Sequence, residues 1–280
     1  MTRARHSFER WGALPALLVC GGLFGGGLAL AFAQSLGYLP FAGRTRVGVD
    51  AYRALLGSSE FWASLRLTLV VALASTLLSG VFGVLLALLV RRRGGRFALG
   101  VTLPIPHVVF AVVVLLAFSQ SGLLSRATHA LGWTNGPADF PVLTNDPLGL
   151  GMIVHLVLKE SAFVGVTVLG ALARLDPAFE DAAATLGATS WQRVSRVTLP
   201  LVAPTVAGAL VLVFAFACAT YEVPYVLGAT FPGTLSVLAV RAFGDVDLGA
   251  RSTAMAISVL IAASLLPLVV VYARATRKRP

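Results

Sequence analysis

Six predominantly apolar runs divide this chain, at about residues 12–33, 61–90, 99–118, 148–172, 202–223 and 252–272. Each reaches or exceeds the roughly 20 helical residues that a bilayer core requires. The pattern predicts an all-α integral membrane fold with six transmembrane helices, read as one transmembrane domain over residues 1–280. The first run exceeds the roughly 7–15 apolar residues of a signal peptide, so it reads as a retained span. Its glycines at 21, 22, 25, 26 and 27 would permit close helix packing, as would Ser75, Ser79 and Gly83, which recur every fourth residue in the second run. That second run is longer than one perpendicular span needs, so its start is expected to lie at the interface. Between the runs lie polar stretches. Residues 34–60 carry Arg44, Arg46, Asp50 and Arg53, and residues 119–147 are rich in turn formers such as Asn135, Gly136, Pro137, Asn145 and Asp146.

The stretch joining the fourth and fifth runs, Asp176 to Pro204, has its own helical grammar. Asp176 is suited to cap a helix and Pro177 to open one, while Glu180 and Asp181 favour the first turns. Gly187 is a natural stop. Thr189 with Gln192 three residues on has the spacing of a capping box, and Pro200 is expected to keep the second helix from running far past Leu199. The prediction is helix, glycine turn, helix. A polar element of this kind between two spans is suited to touching something outside the bilayer.

Composition agrees with the pattern: 57% of the 280 residues are hydrophobic and 12% charged, and the mean hydropathy is +0.86. A soluble domain carries about 25% charge. The formal charge of +10 is spread in short clusters beside the apolar runs, which argues for membrane-flanking residues and against nucleic acid. Cys20 and Cys218 both fall in apolar runs, so neither a disulfide framework nor a metal site is expected.

The cations also orient the chain. With six spans, Arg3, Arg5, Arg10, Arg91, Arg92, Arg93, Arg96, Arg174, Arg193, Arg196, Arg274, Arg277, Lys278 and Arg279 fall on one side. Arg44, Arg46, Arg53, Arg126, Arg241 and Arg251 fall on the other. By the positive-inside rule, both termini and the 173–201 loop are expected in the cytoplasm.

Asp181, Ala182, Ala183, Gly187, Val197, Leu199 and Pro200 resemble the EAA signature of type I ABC importer permeases, which are binding-protein-dependent. Asp181 stands where that family usually has Glu, and Glu180 precedes it; either carboxylate is open as the acidic contact. The resemblance implies a bacterial inner-membrane permease whose 173–201 loop is a coupling helix docked on an ATPase. Glu180, Asp181, Ala182, Ala183, Gly187, Trp191, Arg193, Val197, Leu199 and Pro200 are then the candidate coupling residues. It further implies a second permease subunit, identical or different, two cytoplasmic ATPase subunits that hold ATP and Mg, and an extracytoplasmic solute-binding protein. No cofactor is expected on this chain itself. The competing reading of the loop is an amphipathic connector on the lipid surface.

Residues 159–188 and 221–230 look most like permeases of the spermidine/putrescine branch, which also resembles the ferric-iron and thiamine branches. The cargo expected from that likeness is a polyamine. Lys159 and Glu160, ionisable inside a predicted span, are candidate pathway residues or interhelical pairs. Tyr221 and Glu222 are further pathway candidates, with Pro224 expected to interrupt the fifth helix beside them. An intramembrane protease using Ser121 and His155 lacks any evident activating arrangement, and there is no Walker A loop or HExxH motif. A secondary transporter is the stronger rival, but it would leave the capped helix pair without a purpose.

Overall fold

The computed structural model describes residues 12, 14–93 and 99–277. Arg3, Arg5, Arg10, Arg96, Lys278 and Arg279, used above to orient the chain, lie outside the described residues. Six helices are long and apolar enough to cross a membrane, and among the described residues there is no strand, only the isolated bridges Leu39–Arg44 and Asp146–Gly228. The all-helical, six-span architecture expected from the pattern is present.

In chain order the helices are α1 (Leu14–Ser35), α2 (Asp50–Leu56), α3 (Ser59–Arg93), α4 (His107–Phe118), α5 (Leu123–Ala130), α6 (Leu150–Leu172), α7 (Ala178–Thr185), α8 (Ser190–Arg193), α9 (Leu199–Ala219), α10 (Glu222–Leu227), α11 (Leu235–Phe243) and α12 (Ala250–Arg277). A π-helical turn, Val194–Thr198, joins α8 to α9. The chain divides into two compact units, Met1–Phe61 with Leu238–Ala262 and Trp62–Val237 with Ala263–Pro280.

Within the larger unit, α6 is the most buried span, with 61% of its most apolar window covered. Val164, Val168, Leu169 and Leu172 of α6 pack with Ala87 of α3, Leu99, and Val202, Ala209 and Val213 of α9. The small-residue stripe of α3 explains how the helices come so close. Ser75 and Ser79 are fully buried, and a side chain at Gly83 would meet Val164 and the Ser161 carbonyl within 2.9 Å. Glycine at 83 removes the atom that would hold the two helices apart.

Within the smaller unit, Tyr52 donates to Ser35 (2.8 Å), Arg44 pairs loosely with Asp247 (4.0 Å), and Arg251 lies over the rings of Phe41 and Phe243. The glycines of α1 face open space, since a side chain at any of them would meet nothing within 4 Å.

Several boundaries differ from the apolar pattern, each for a local reason. The third span begins at His107, because Pro106 lacks an amide hydrogen and stands at the helix start. The stretch 119–147 contains α5, whose amphipathic turns do not form an apolar run. Pro200 does not end its helix. The π turn just before it widens the backbone, and one helical path continues from Ser190 to Ala219 with Pro200 and Pro204 inside it. Nor does Pro224 break the fifth span. The break falls at Thr220, whose backbone is extended, and Pro224 sits within α10.

Candidate functional site

Two polar assemblies stand out in the larger unit. The first is the Asp176–Pro204 segment. Asp176 accepts the amide of Ala178 (2.9 Å) and so starts α7. Gly187 ends it with φ +81°, the left-handed conformation that glycine adopts without strain. The amides of Ala188 and Gly187 return to the carbonyls of Ala183 and Ala184, both at 3.0 Å, which is a Schellman stop. The capping box then opens α8: Gln192 N–H donates to Thr189 Oγ1 (3.3 Å), and Thr189 N–H donates to Gln192 Oε1 (2.8 Å).

The two neighbouring carboxylates of α7 face different surroundings. Glu180 Oε1 accepts Arg91 Nη1 at 2.6 Å and the hydroxyl of fully buried Thr198 at 2.8 Å. These contacts, chiefly the Arg91 hydrogen bond, hold its carboxyl below the usual range against the opposing cost of burial. Asp181 is exposed, as are Ala182, Gly187 and Pro200. The segment also exposes Phe179 (54% exposed), Leu186 (88%) and Trp191 (73%). Ala183, Val197 and Leu199 are half-buried, and Arg193 turns back to Ser190 Oγ (3.2 Å).

The second assembly lies inside the spans. Lys159 and Glu160 of α6 are both buried. Lys159 Nζ donates to the carbonyls of Thr102 (3.0 Å) and Ile105 (2.5 Å). In an unbroken helix the Thr102 carbonyl would accept the amide of residue 106, which is proline and has none. The carbonyl accepts the Ile105 amide instead (3.3 Å), and the lysine adds a second donor. Glu160 lies 3.7 Å from His107 Nε2, and His107 Nδ1 lies 3.4 Å from His155 Nε2. Phe110 stacks edge-on to His155, and Phe216 tilts against His107. A cavity of about 330 Å³ is bordered by Leu103, Pro104, His107, Lys159, Glu160 and Phe163.

Lys159 and Glu160, candidates for the pathway or for interhelical pairing, both contact groups of neighbouring segments and both border this cavity. His107 was not singled out from sequence, although Pro-His at the start of an apolar run marked the position. Asp146 also escaped notice as more than a turn former. It is buried, and its carboxylate accepts the amides of Leu148, Leu150 and Gly151, which starts α6. Tyr221 and Glu222 stand at the α9–α10 break, where Tyr221 pairs with Tyr225 (ring centroids 5.3 Å apart) and Glu222 is exposed. Ser121 and His155 form no dyad, since the His155 ring meets His107 and Phe110 while Ser121 borders a separate cavity with Arg126 and His129. Among the described residues, no group of His, Cys, Asp and Glu is arranged to hold a metal ion.

Similar proteins place this arrangement. The trehalose/maltose transport system permease protein MalF of Thermococcus litoralis is 28% identical over 247 residues, covering 83% of this chain and 80% of that protein. The sulfate transport system permease protein CysT of Escherichia coli is 28% identical over 218 residues, covering 77% and 76%. In fold, the chain matches one of a bacterial ABC transporter involved in the import of the acidic polysaccharide alginate, with a TM-score of 0.76, 22% identity and 99% of each chain covered. None of these three is named for a polyamine. The family model for the inner membrane component of binding-protein-dependent transport systems matches residues 79–279, which include both polar assemblies. This chain therefore belongs to that family, as a multi-pass inner-membrane permease subunit of an ABC importer.

Proposed function

We propose that this permease is driven through its Asp176–Pro204 segment, which docks on a cytoplasmic ATPase subunit, and that ATP and Mg bind only there. The observation that carries the reading is the pairing of a rigid scaffold with an apolar exposed face. Two capped helices and a Schellman turn fix the shape, Glu180 is turned inward, and Phe179, Asp181, Leu186 and Trp191 are all exposed. Asp181 is thus the carboxylate free to meet the partner. A lipid-surface connector would need no such fixed bend. Both termini lie on the ATPase side, a second permease completes the route, and an extracytoplasmic binding protein delivers the solute.

The solute proposed is a hydroxylated one of the sugar class. The trehalose/maltose relative supports it, and so does the intramembrane cluster, where Glu160 is accompanied by Lys159, His107 and His155 and offers no anionic lining for a polyamine. Glu222 is a lone carboxylate between two tyrosines.

The test is ATP hydrolysis by the permease and ATPase complex in proteoliposomes with its binding protein, using trehalose, maltose, sulfate and spermidine as probes. Trehalose or maltose should stimulate hydrolysis; stimulation by spermidine alone would overturn the cargo assignment. Gly187→Pro, which forbids the left-handed turn, and Asp181→Lys should both insert in the membrane yet lose that stimulation. Full stimulation in both variants would refute the docking role.

A further inference from the structure

The docking role proposed above leaves open how movement of a surface helix reaches the spans. Glu180 offers a route that the sequence did not disclose. Its single oxygen Oε1 joins three elements: α7, which carries it; the last turn of α3, through Arg91; and the π turn that opens α9, through Thr198. Arg91 and Glu180 are 89 residues apart in sequence.

This is not an ordinary exposed pair, whose worth is small because water competes for both charges. The two side chains are 31% and 28% exposed, the third partner is fully buried, and both donors converge on one atom. The far ends of the link are themselves anchored. Gly83 of α3 abuts Val164 of α6, and Val202 of α9 lies in the same core as Ala87 of α3. A displacement of α7 is therefore resisted by packed helices and not absorbed by a flexible loop.

We infer that Glu180 is the positioning residue of the coupling segment, tying α7 to α3 and α9 so that the three move as one body when the ATPase moves. Asp181 meets the partner, while Glu180 transmits. Division of the two adjacent carboxylates between these tasks follows from their surroundings: Glu180 is held by Arg91 and Thr198, while Asp181 is exposed.

The test measures the distance between spin labels at Leu89→Cys, an exposed site near the end of α3, and Thr185→Cys, exposed at the end of α7, with Cys20 and Cys218 replaced by alanine. The assembled permease and ATPase complex is measured without nucleotide and with a non-hydrolysable ATP analogue. In the parent protein the distance should agree between the two states within about 1 Å. In Glu180→Gln and in Arg91→Ala it should shift between states by about 2 Å or more, the scale of helix movements in switching proteins. The exchanged pair, Glu180→Arg with Arg91→Glu, should restore the fixed distance. A merely structural role would not give this rescue. A parent distance that already shifts by about 2 Å, or a Glu180→Gln distance as fixed as the parent's, overturns the inference. Loss of ATPase binding in Glu180→Gln alone overturns it as well, since it assigns Glu180 to the docking surface. If the parent binds no ATPase, the failure belongs to the docking role on which the inference rests.

Discussion

The Asp176–Pro204 segment and the cluster around Lys159 both carry charge in an apolar protein, but they satisfy their polar groups by opposite means. In the segment most partners are close in sequence: Asp176 caps two residues on, Thr189 and Gln192 cap one another three residues apart, and Gly187 closes its own helix. In the cluster the partners are distant. Lys159 reaches back 57 residues to Thr102 and 54 to Ile105, and His155 meets His107 across 48. The difference follows from solvent. Water competes at the segment, so short-range caps with little ordering cost suffice, whereas inside the membrane no water is at hand and a buried ionisable group is held by protein partners wherever the fold brings them.

Substitutions sharpen the contrast in descending order of effect. Lys159→Met should be the most damaging, removing a buried cation that serves two carbonyls and costing about 3 kcal/mol of stability, read by denaturant unfolding in detergent. If the lysine stands in for the amide that Pro106 lacks, Pro106→Ala should reduce that cost by about 1 kcal/mol, and strict additivity of the two changes would contradict the explanation. Thr189→Ala should cost about 1 kcal/mol and add independently to Lys159→Met, because its partner is local.

The smallest effect is that of pH on Glu180. Its carboxyl titrates below the usual range in the folded chain, chiefly because of Arg91. The stabilisation is therefore complete above the unfolded value of about 4.3 and is lost as pH falls through the lower folded value. It should amount to no more than about 1 kcal/mol, visible as a steeper loss of melting temperature toward pH 3 in the parent than in Glu180→Gln. Equal slopes would show that the link contributes nothing to stability.

The sequence by itself determined the six spans, because a bilayer demands long apolar runs, and the caps and turn of the Asp176–Pro204 segment, because caps and a left-handed glycine are encoded within a few residues of where they act. Breaks in the spans were legible only as the presence of prolines. Pro106 starts a helix, Pro200 is absorbed by a π turn, and Pro224 lies within α10, and the choice among these outcomes rests on neighbouring backbone and side chains. The tertiary structure alone decided that Lys159 serves the Pro106 break, that His107 joins Glu160, and that Glu180 faces Arg91 while Asp181 faces outward. Two adjacent carboxylates read alike in a sequence. They differ once a helix turns one of them toward a cation supplied by a span 89 residues earlier.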